Sequence, residues 1–302
     1  MNYEIQNNKI FVLVKEFKPK DIFECGQVFC YKKIDEFYFV YPQDKLAVIY
    51  EENGKYVIEC LNGSPQYFIN FFDLETNYEK IIKNIKKLNK KQFNLELINK
   101  SLTFGNGIRI LKQEFIETLI SFIFSANNNI KRFTNSLNLL REKIGEEIKI
   151  ENKLENKKIN KIINENKFYT FPSLNNLKNL AEKFFVEIGA GYRASYLKET
   201  ISEIDLETYD KLNKFSTEEL LKELIKFKGV GRKVAECVIL FSFKRFDVFP
   251  VDTWIRKVYF DLFEDKNEKI SSQNISKKLI NYFGMLSGFI QQYLFYFKRE
   301  LN

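Results

Sequence analysis

The sequence predicts an α+β fold in which an antiparallel β-rich N-terminal domain precedes an all-α body. From Lys9 to about residue 61, runs of β-branched and aromatic residues alternate with short polar turns such as EENGK. After Pro65 the apolar residues recur at helical intervals, as in YEKIIKNIKKLNKK and EFIETLISFIFSA. The 302 residues exceed the usual size of one domain. We therefore predict a β domain with a closing helix at 1–100 and a helical domain at 101–302.

Five strands are predicted before Pro65, and they read KIFVLV, QVFCYKKI, EFYFVYP, KLAVIYEE and KYVIEC. Their short connections are typical of an antiparallel meander or half-barrel. In the helical part, residues 145–167 consist mostly of Lys, Asn, Glu and Ile without an aromatic residue. This composition indicates a solvated connection or an irregular helix, to which we assign no chemistry.

The composition excludes several classes of chemistry. The chain contains no histidine, which removes Ser-His and Cys-His catalysis, histidine metal ligands and histidine pH switches. Catalysis must therefore use Lys, Asp, Glu, Cys or Tyr. A net charge of +8 and a pI near 9.0 favour a nucleic acid as partner. Only eight of the 48 cationic residues are Arg, so each arginine is a candidate for a specific contact.

The cysteines give no pattern for a metal centre. Cys25, Cys30, Cys60 and Cys237 are scattered and form no CxxC pair, so we expect neither zinc nor an iron–sulfur cluster. The N-terminal residues MNYEIQNNKI lack the basic start and apolar run of a signal peptide, and no apolar stretch reaches transmembrane length. We expect a cytoplasmic protein that makes no membrane contact.

The most specific pattern is the helix-hairpin-helix predicted at 223–242. The segment ELIKFK is a short amphipathic helix, and RKVAECVILFSF is a second one. Gly229, Val230 and Gly231 form the turn between them. Such a turn presents backbone N–H groups at a helix N-terminus, which suits a phosphate oxygen. The hairpin is therefore predicted to bind the DNA backbone without reading its sequence.

Lys233 and Asp252 are the candidate catalytic residues. Lys233 lies two residues into the second hairpin helix, where a neutral amine could act as a nucleophile toward a docked sugar. Asp252 follows Pro250 and Val251 and precedes a new helix, so its carboxylate could face a developing positive charge. Taken alone, Lys233 would be a solvated helix residue and Asp252 a simple N-cap. The N-cap role of Asp252 is compatible with a catalytic role, because a capping carboxylate can still face the sugar.

Together the hairpin, the lysine and the PVD segment resemble the helix-hairpin-helix, Gly/Pro-rich, Asp (HhH-GPD) superfamily of base-excision DNA glycosylases. Within the catalytic-lysine branch of this superfamily, the similarity is greatest to the 8-oxoguanine DNA glycosylases, and it covers nearly the whole chain. Further matching segments are Cys25 to Phe29 (CGQVF), Gly105 to Glu114 (GNGIRILKQE), Ile120 to Arg132 (ISFIFSANNNIKR), Gly191 to Ala194 (GYRA) and Gln291 to Phe295 (QQYLF).

The resemblance implies a bifunctional enzyme that flips 8-oxoguanine out of the duplex and removes it. Lys233 would attack the sugar C1′ and form a Schiff base, from which β-elimination nicks the strand. Asp252 would stabilise the charge that builds on the sugar. No redox cofactor and no catalytic metal are implied, although a monovalent cation at the hairpin is a possible aid to phosphate binding.

Four residues are implied to recognise the lesion. The backbone carbonyl of Gly26 would accept the N7–H that 8-oxoguanine has and guanine lacks. Phe295 and Cys237 would sandwich the purine, and Gln291 would read its Watson–Crick edge. Without the resemblance, Gly26 is a turn glycine, Cys237 a small buried apolar residue and Phe295 part of an aromatic core stretch.

Four further residues are implied to act on the opposite strand. Asn127 would fill the vacated stack, Tyr192 would wedge beside it, and Arg132 and Arg193 would hydrogen-bond the unpaired cytosine. This arrangement implies a preference for lesions opposite cytosine. In an Asn-rich chain, Asn127 could instead mark a turn, and the two arginines could be surface ion-pair partners.

The resemblance has one visible departure and leaves two alternatives. Thr253 and Trp254 stand where the animal enzymes carry a histidine, so that contact is made differently or lost. An alkylpurine-type glycosylase is disfavoured by Lys233, which monofunctional members lack. A non-catalytic DNA-binding module is disfavoured by the joint presence of Lys233 and Asp252. The expected partner is double-stranded DNA containing 8-oxoguanine, bound by a monomer.

Overall fold

The computed structural model describes residues 2–88, 93–151, 155–263 and 269–301. It confirms the predicted fold class, with one antiparallel sheet at the N-terminus followed by helices. The strands are β1 (Tyr3–Gln6), β2 (Lys9–Val12), β3 (Tyr31–Ile34), β4 (Phe37–Val40), β5 (Leu46–Glu52) and β6 (Lys55–Asn62). Their order across the sheet is β1-β2-β6-β5-β4-β3.

Two details of the sheet differ from the predicted strands. β1 was not predicted, because its YEIQ segment is polar and mostly exposed and so lacks a clear alternation. The run QVFCYKKI enters the sheet only at Tyr31, because residues 27–30 lie outside the strand and Phe29 packs in the helical core.

The helices follow in chain order. They are α1 (Pro19–Phe23), α2 (Pro65–Phe71), α3 (Tyr78–Lys86), α4 (Leu95–Phe104), α5 (Phe115–Ser125), α6 (Ile130–Ile144), α7 (Lys157–Glu165), α8 (Leu174–Lys178), α9 (Glu182–Glu187), α10 (Arg193–Glu203), α11 (Thr208–Asn213), α12 (Thr217–Lys226), α13 (Arg232–Phe241), α14 (Thr253–Phe263), α15 (Ser272–Phe283) and α16 (Ser287–Glu300). None of the helices in the described ranges has both the length and the apolar character needed to cross a bilayer.

Two hydrophobic cores underlie this arrangement. One lies between the sheet, α2 and α7, and the other is enclosed by the remaining large helices. Helix α3 contributes Tyr78 and Ile85 to the helical core, although it precedes the boundary that we predict at residue 100, and α4, which spans this boundary, contributes Ile98 and Leu102. The two cores therefore interleave along the chain, and the placement of the domain boundary stays a prediction.

The segment 145–167 is more ordered than its composition indicates. Its isoleucines at 148, 159 and 162 are buried in the core of the sheet, and Glu147 bridges to Tyr169. Helix α7 carries Ile159 and Ile162 on one face and polar residues on the other. The three buried isoleucines contradict the prediction of a solvated connection, whereas α7 fits the alternative of a helix; residues 152–154 lie outside the described residues.

A buried arginine joins the β layer to the helices. Arg109 is fully buried and donates to the carbonyl oxygens of Glu16, Phe72, Asp73 and Thr76. Burial of a charge requires this degree of pairing. The backbone carbonyl of Arg109 accepts a hydrogen bond from the Gln27 side chain and so fixes the turn at residues 24–27. This turn forms one wall of the site described below.

Candidate active site

The hairpin lies between α12 and α13, and its turn has the backbone that glycine permits. Gly229 has φ +76°, and a Cβ there would lie 2.7 Å from the Cβ of Tyr196. Gly231 is the N-cap of α13, with φ −81° and open space where a Cβ would point. Val230 is buried between them. As at any helix start, the first N–H groups of α13 have no intrahelical acceptor, so they are available to a phosphate oxygen.

Lys233 and Asp252 line one cleft of about 530 Å³. The Nζ atom of Lys233 lies 5.0 Å from the ring centroid of Phe122. Asp252 precedes α14, and its Oδ1 accepts from the backbone N–H groups of Trp254 at 3.0 Å and Ile255 at 2.9 Å. Burial raises the pKa of Asp252, against the opposing effects of these N–H groups and of the Lys233 charge. The sequence spacing of 19 residues thus places the amine and the carboxylate at the same opening.

A small inner pocket of about 40 Å³ continues from this cleft. It is lined by Lys233 and Asp252 together with the four residues predicted to contact the lesion, Gly26, Cys237, Gln291 and Phe295. A volume of this size holds about one water molecule. The pocket is therefore closed to a purine in this conformation.

Two groups in the inner pocket have a defined chemical state. Burial raises the pKa of the Cys237 thiol to about 11, so the thiol is neutral at physiological pH. The Nε2 of Gln291 donates to the Pro250 carbonyl at 3.3 Å, whereas its Oε1 is buried and accepts no hydrogen bond from the described residues. A buried acceptor without a partner is costly. Its position in the pocket wall suits a ligand that donates.

The turn at residues 24–27 forms the opposite wall. Side chains satisfy the carbonyls of Glu24, Cys25 and Gln27; the donors are Arg299, Gln292 at 2.8 Å and Gln113 at 2.8 Å, respectively. The carbonyl of Gly26 accepts no hydrogen bond within the described part of the chain. Gln27 ties the turn to the segment at residues 109–111, since its Nε2 donates to the Arg109 carbonyl and its Oε1 accepts from the Leu111 N–H. One acceptor in a rigid turn is thus left for a ligand.

The residues predicted for the opposite strand lie around one edge of the cleft. Asn127 is exposed and has φ +48°. Arg193 is buried, and its guanidinium donates to the carbonyls of Ala126 and Asn127, both at 2.7 Å, and of Ala190 at 3.2 Å. Its cation lies 4.3 Å from the ring centroid of Tyr192, which is 55% exposed. Arg193 therefore holds the Asn127 turn and keeps two of its five N–H donors unused among the described residues.

Arg132 differs from Arg193 in its surroundings. It lies on the first turn of α6 with an exposed side chain that makes no polar contact within the described residues. Its guanidinium is therefore available for a partner. The cytosine-reading roles of both arginines stay predictions.

The structure brings together Lys233, Asp252 and the four lesion residues, and adds two that sequence reasoning missed. Phe122 lies beside the lysine, and Arg299 lies against Gly26. Trp254, which the sequence marked as a departure from the family, also lines the cleft, with the Lys257 ammonium 4.7 Å from its ring. Phe122 belongs to an apolar helix whose pattern gives no such signal, and Arg299 was marked only by the scarcity of arginine. Within the described ranges, no group of three Cys, Asp or Glu side chains is arranged to hold a metal ion.

A buried carboxyl on α13, the second helix of the hairpin, lies outside the cleft and contacts α15. Glu236 is 1% exposed, and its Oε1 lies 2.9 Å from Nε of Arg232 and 2.7 Å from the Ser276 hydroxyl that donates to it. Burial raises the pKa of Glu236 to about 7, although Ser276 and Arg232 oppose this shift. The carboxyl links α13 to α15.

The sequence of the chain is similar to those of several known proteins. A family model for the 8-oxoguanine DNA glycosylase N-terminal domain matches residues 9–119. A probable N-glycosylase/DNA lyase of Methanothermobacter thermautotrophicus is 28% identical over 237 residues, covering 69% of this chain and 70% of that protein. The N-glycosylase/DNA lyase of Saccharomyces cerevisiae is 30% identical over 237 residues, covering 71% of this chain and 58% of that protein.

A solved structure matches the full length. The Clostridium acetobutylicum 8-oxoguanine glycosylase/lyase, in complex with double-stranded DNA containing cytosine opposite 8-oxoguanine, has a TM-score of 0.85 and 34% sequence identity. The match covers 100% of both chains.

Proposed function

Because this chain belongs to the 8-oxoguanine DNA glycosylases of the HhH-GPD superfamily, and is therefore a DNA N-glycosylase with abasic-site lyase activity, we propose that it excises 8-oxoguanine from duplex DNA, preferentially opposite cytosine. The observation that carries the proposal is the shared pocket. Lys233 and Asp252 line the same inner pocket as Gly26, Cys237, Gln291 and Phe295. Nucleophile, charge stabiliser and base-recognition groups thus converge on one small volume.

DNA first docks on the hairpin. The N–H groups at the start of α13 bind a backbone phosphate near the lesion, and the net charge of +8 strengthens this contact in a salt-dependent manner. A monovalent cation at the hairpin carbonyls would add to this contact. The phosphate anchor brings the lesion nucleotide to the cleft beside Lys233.

The base then leaves the duplex and opens the inner pocket. Flipping costs a few kcal/mol of stacking and pairing, which Asn127 and Tyr192 offset by occupying the vacated position. Because the inner pocket has a volume of only about 40 Å³, the half-buried Phe295 moves to admit a purine between its ring and Cys237. Gln291 Oε1 gains the donor that it lacks, supplied by the Watson–Crick edge.

Gly26 discriminates lesion from normal base. Its carbonyl has no partner in the described chain, and the N7–H of 8-oxoguanine supplies one. Guanine presents a lone pair at N7, which leaves the carbonyl unsatisfied and repelled. An unmade hydrogen bond of this kind costs about 1–3 kcal/mol, which corresponds to roughly 10- to 100-fold discrimination.

The chemistry needs only groups of the chain. The neutral amine of Lys233 attacks C1′ as the bond from C1′ to the base breaks, and the base departs with the bonding electrons and takes up the proton that the alkylated amine releases. Asp252 stabilises the cationic sugar in this step. The sugar ring opens as O4′ takes up a proton from water, which leaves a protonated Schiff base on Lys233. Water then removes the C2′ proton as the 3′ phosphate leaves. Hydrolysis of the Schiff base regenerates the amine.

Arg132 and Arg193 give the preference for cytosine. Arg193 holds the Asn127 turn and keeps two N–H groups, Arg132 has an exposed guanidinium on the first turn of α6, and cytosine offers acceptors at O2 and N3. Base release is measured under single-turnover conditions on duplexes with 8-oxoguanine opposite each of the four bases, with the wild type and Lys233→Gln. Fastest release opposite C, and none with Lys233→Gln, supports the proposal. Equal release opposite all bases refutes the cytosine preference alone, and no release by the wild type refutes the substrate assignment.

A further inference from the structure

Arg299 occupies the mouth of the base pocket. It lies on the last turn of α16, one turn after Phe295, and its guanidinium carbon is 5.3 Å from the Phe295 ring centroid. Its side chain is only 15% exposed. It lines the cleft that also contains Lys233 and Asp252. Arg299 therefore faces the region through which a flipped base passes.

Two of the three guanidinium nitrogens of Arg299 donate hydrogen bonds to described residues, and the third does not. Nε and Nη2 donate to the Glu300 carboxylate, and Nη2 also donates to the Glu24 carbonyl. Nη1 donates to no acceptor within the described residues, so two N–H groups remain. The other two nitrogens fix the plane of the guanidinium, so that Nη1 is held in one place with no partner in the described part of the chain.

Nη1 lies directly beside Gly26. A Cβ on Gly26 would be 2.6 Å from Nη1 and 3.0 Å from Cε1 of Phe295, so only glycine leaves this space open. The Gly26 carbonyl is itself an acceptor without a partner in the described chain. An unused donor thus lies against the residue whose carbonyl is an unused acceptor.

This pair is complementary to the five-membered ring of an 8-oxopurine, which presents the N7–H donor next to the C8 oxygen acceptor. We propose that Arg299 is a specificity-determining residue that donates from Nη1 to the C8 oxygen of the flipped base while the Gly26 carbonyl accepts from N7–H. The inference rests on the proposed function, since it assigns the contact to the same lesion and pocket. A charge-assisted hydrogen bond to this oxygen supplies recognition that N7–H alone does not.

The test replaces both partners of the contact in turn. Arg299→Met keeps an unbranched apolar stem against Phe295 and removes the donors. The matched lesion is 8-thioguanine, which retains N7–H but carries sulfur, a weak acceptor, at C8. Single-turnover excision is measured for each protein on each lesion opposite cytosine, and each rate is divided by that protein's cleavage rate on an abasic site.

We expect the wild type to excise 8-oxoguanine about 10- to 100-fold faster than 8-thioguanine, as the strength of a hydrogen bond to a charged donor predicts. Arg299→Met should lose a similar factor on 8-oxoguanine and less than about threefold on 8-thioguanine. Lys298→Met is the matched control, since it removes the neighbouring cation of the same helix turn, which pairs with Asp261 at 2.8 Å, away from the cleft. It should behave as the wild type on both lesions.

Two results overturn the inference while the proposed function stands. Equal slowing of both lesions by Arg299→Met would assign Arg299 to holding the turn and Phe295. An unchanged rate on 8-oxoguanine would assign it no role. If the wild type releases no 8-oxoguanine, the proposed function fails first and the inference fails with it.

Discussion

Glu236 predicts an unusual pH dependence of stability for the hairpin helix. Its pKa is raised from 4.5 to about 7 by burial, so between these values the folded chain keeps a proton that the unfolded chain has released. The contribution of Glu236 to the free energy of unfolding is fully present below about pH 4.5 and is lost as the pH rises toward 7. The interval corresponds to about 3 kcal/mol at about 1.4 kcal/mol per pH unit.

The perturbation is Glu236→Gln, which removes the titration and keeps an acceptor for Ser276 and Arg232. The free energy of unfolding is measured by urea denaturation at half-unit steps from pH 4.5 to 7.5 for both proteins. We expect the wild type to lose about 3 kcal/mol relative to the variant across this range, because all other titrating groups cancel in the difference. A difference that stays constant with pH would refute the reasoning, since Glu236 would then titrate at its ordinary value.

Three further outcomes test the site. Asp252→Asn should slow base release about 100-fold or more while duplex affinity changes less than threefold. Because burial raises the pKa of Asp252 above 3.8, lowering the pH should already slow the wild type at pH values above 3.8, and the variant should not show this decrease. Gly229→Ala should lower the free energy of unfolding by about 1–3 kcal/mol through its positive φ and the clash with Tyr196, whereas Gly231→Ala should lower it by less than about 1 kcal/mol, as followed by chemical denaturation. Arg132→Ala should reduce the ratio of excision opposite C to excision opposite A about tenfold with unchanged thermal stability, because its side chain is exposed and contacts no other described polar group.

Each of these outcomes has a result that contradicts it. A pH profile of Asp252→Asn that overlays the wild type would separate the carboxylate from the rate. Equal loss of stability in the two glycine variants would show that the turn geometry is not what selects glycine at 229. An unchanged opposite-base ratio in Arg132→Ala would remove that arginine from cytosine recognition.

The parts of the site that depend on local chain geometry could be predicted from the sequence. A turn that requires glycine at 229 and a helix that begins after an aspartate at 252 are properties of a few adjacent residues. The antiparallel sheet was predicted for the same reason, since alternation and short turns are local signals. The structure adds that the two local motifs open into one cleft.

The remaining parts depend on contacts between distant residues. The donors to the turn at 24–27 come from Gln113, Gln292 and Arg299, and the last two lie more than 260 positions away in sequence. No periodicity reports such a pairing. Likewise, the segment 145–167 has a composition that indicates exposure, and only packing against the sheet buries Ile159 and Ile162.

Covalent trapping followed by peptide mapping tests the central claim most directly. The wild type is incubated with a duplex carrying 8-oxoguanine opposite cytosine in the presence of borohydride, and the adduct is digested and analysed by mass spectrometry. We predict a single sugar adduct on Lys233, and its absence from Lys233→Gln. An adduct on another lysine, or base release by the wild type without any trapped adduct, would contradict the assignment of Lys233 as the nucleophile.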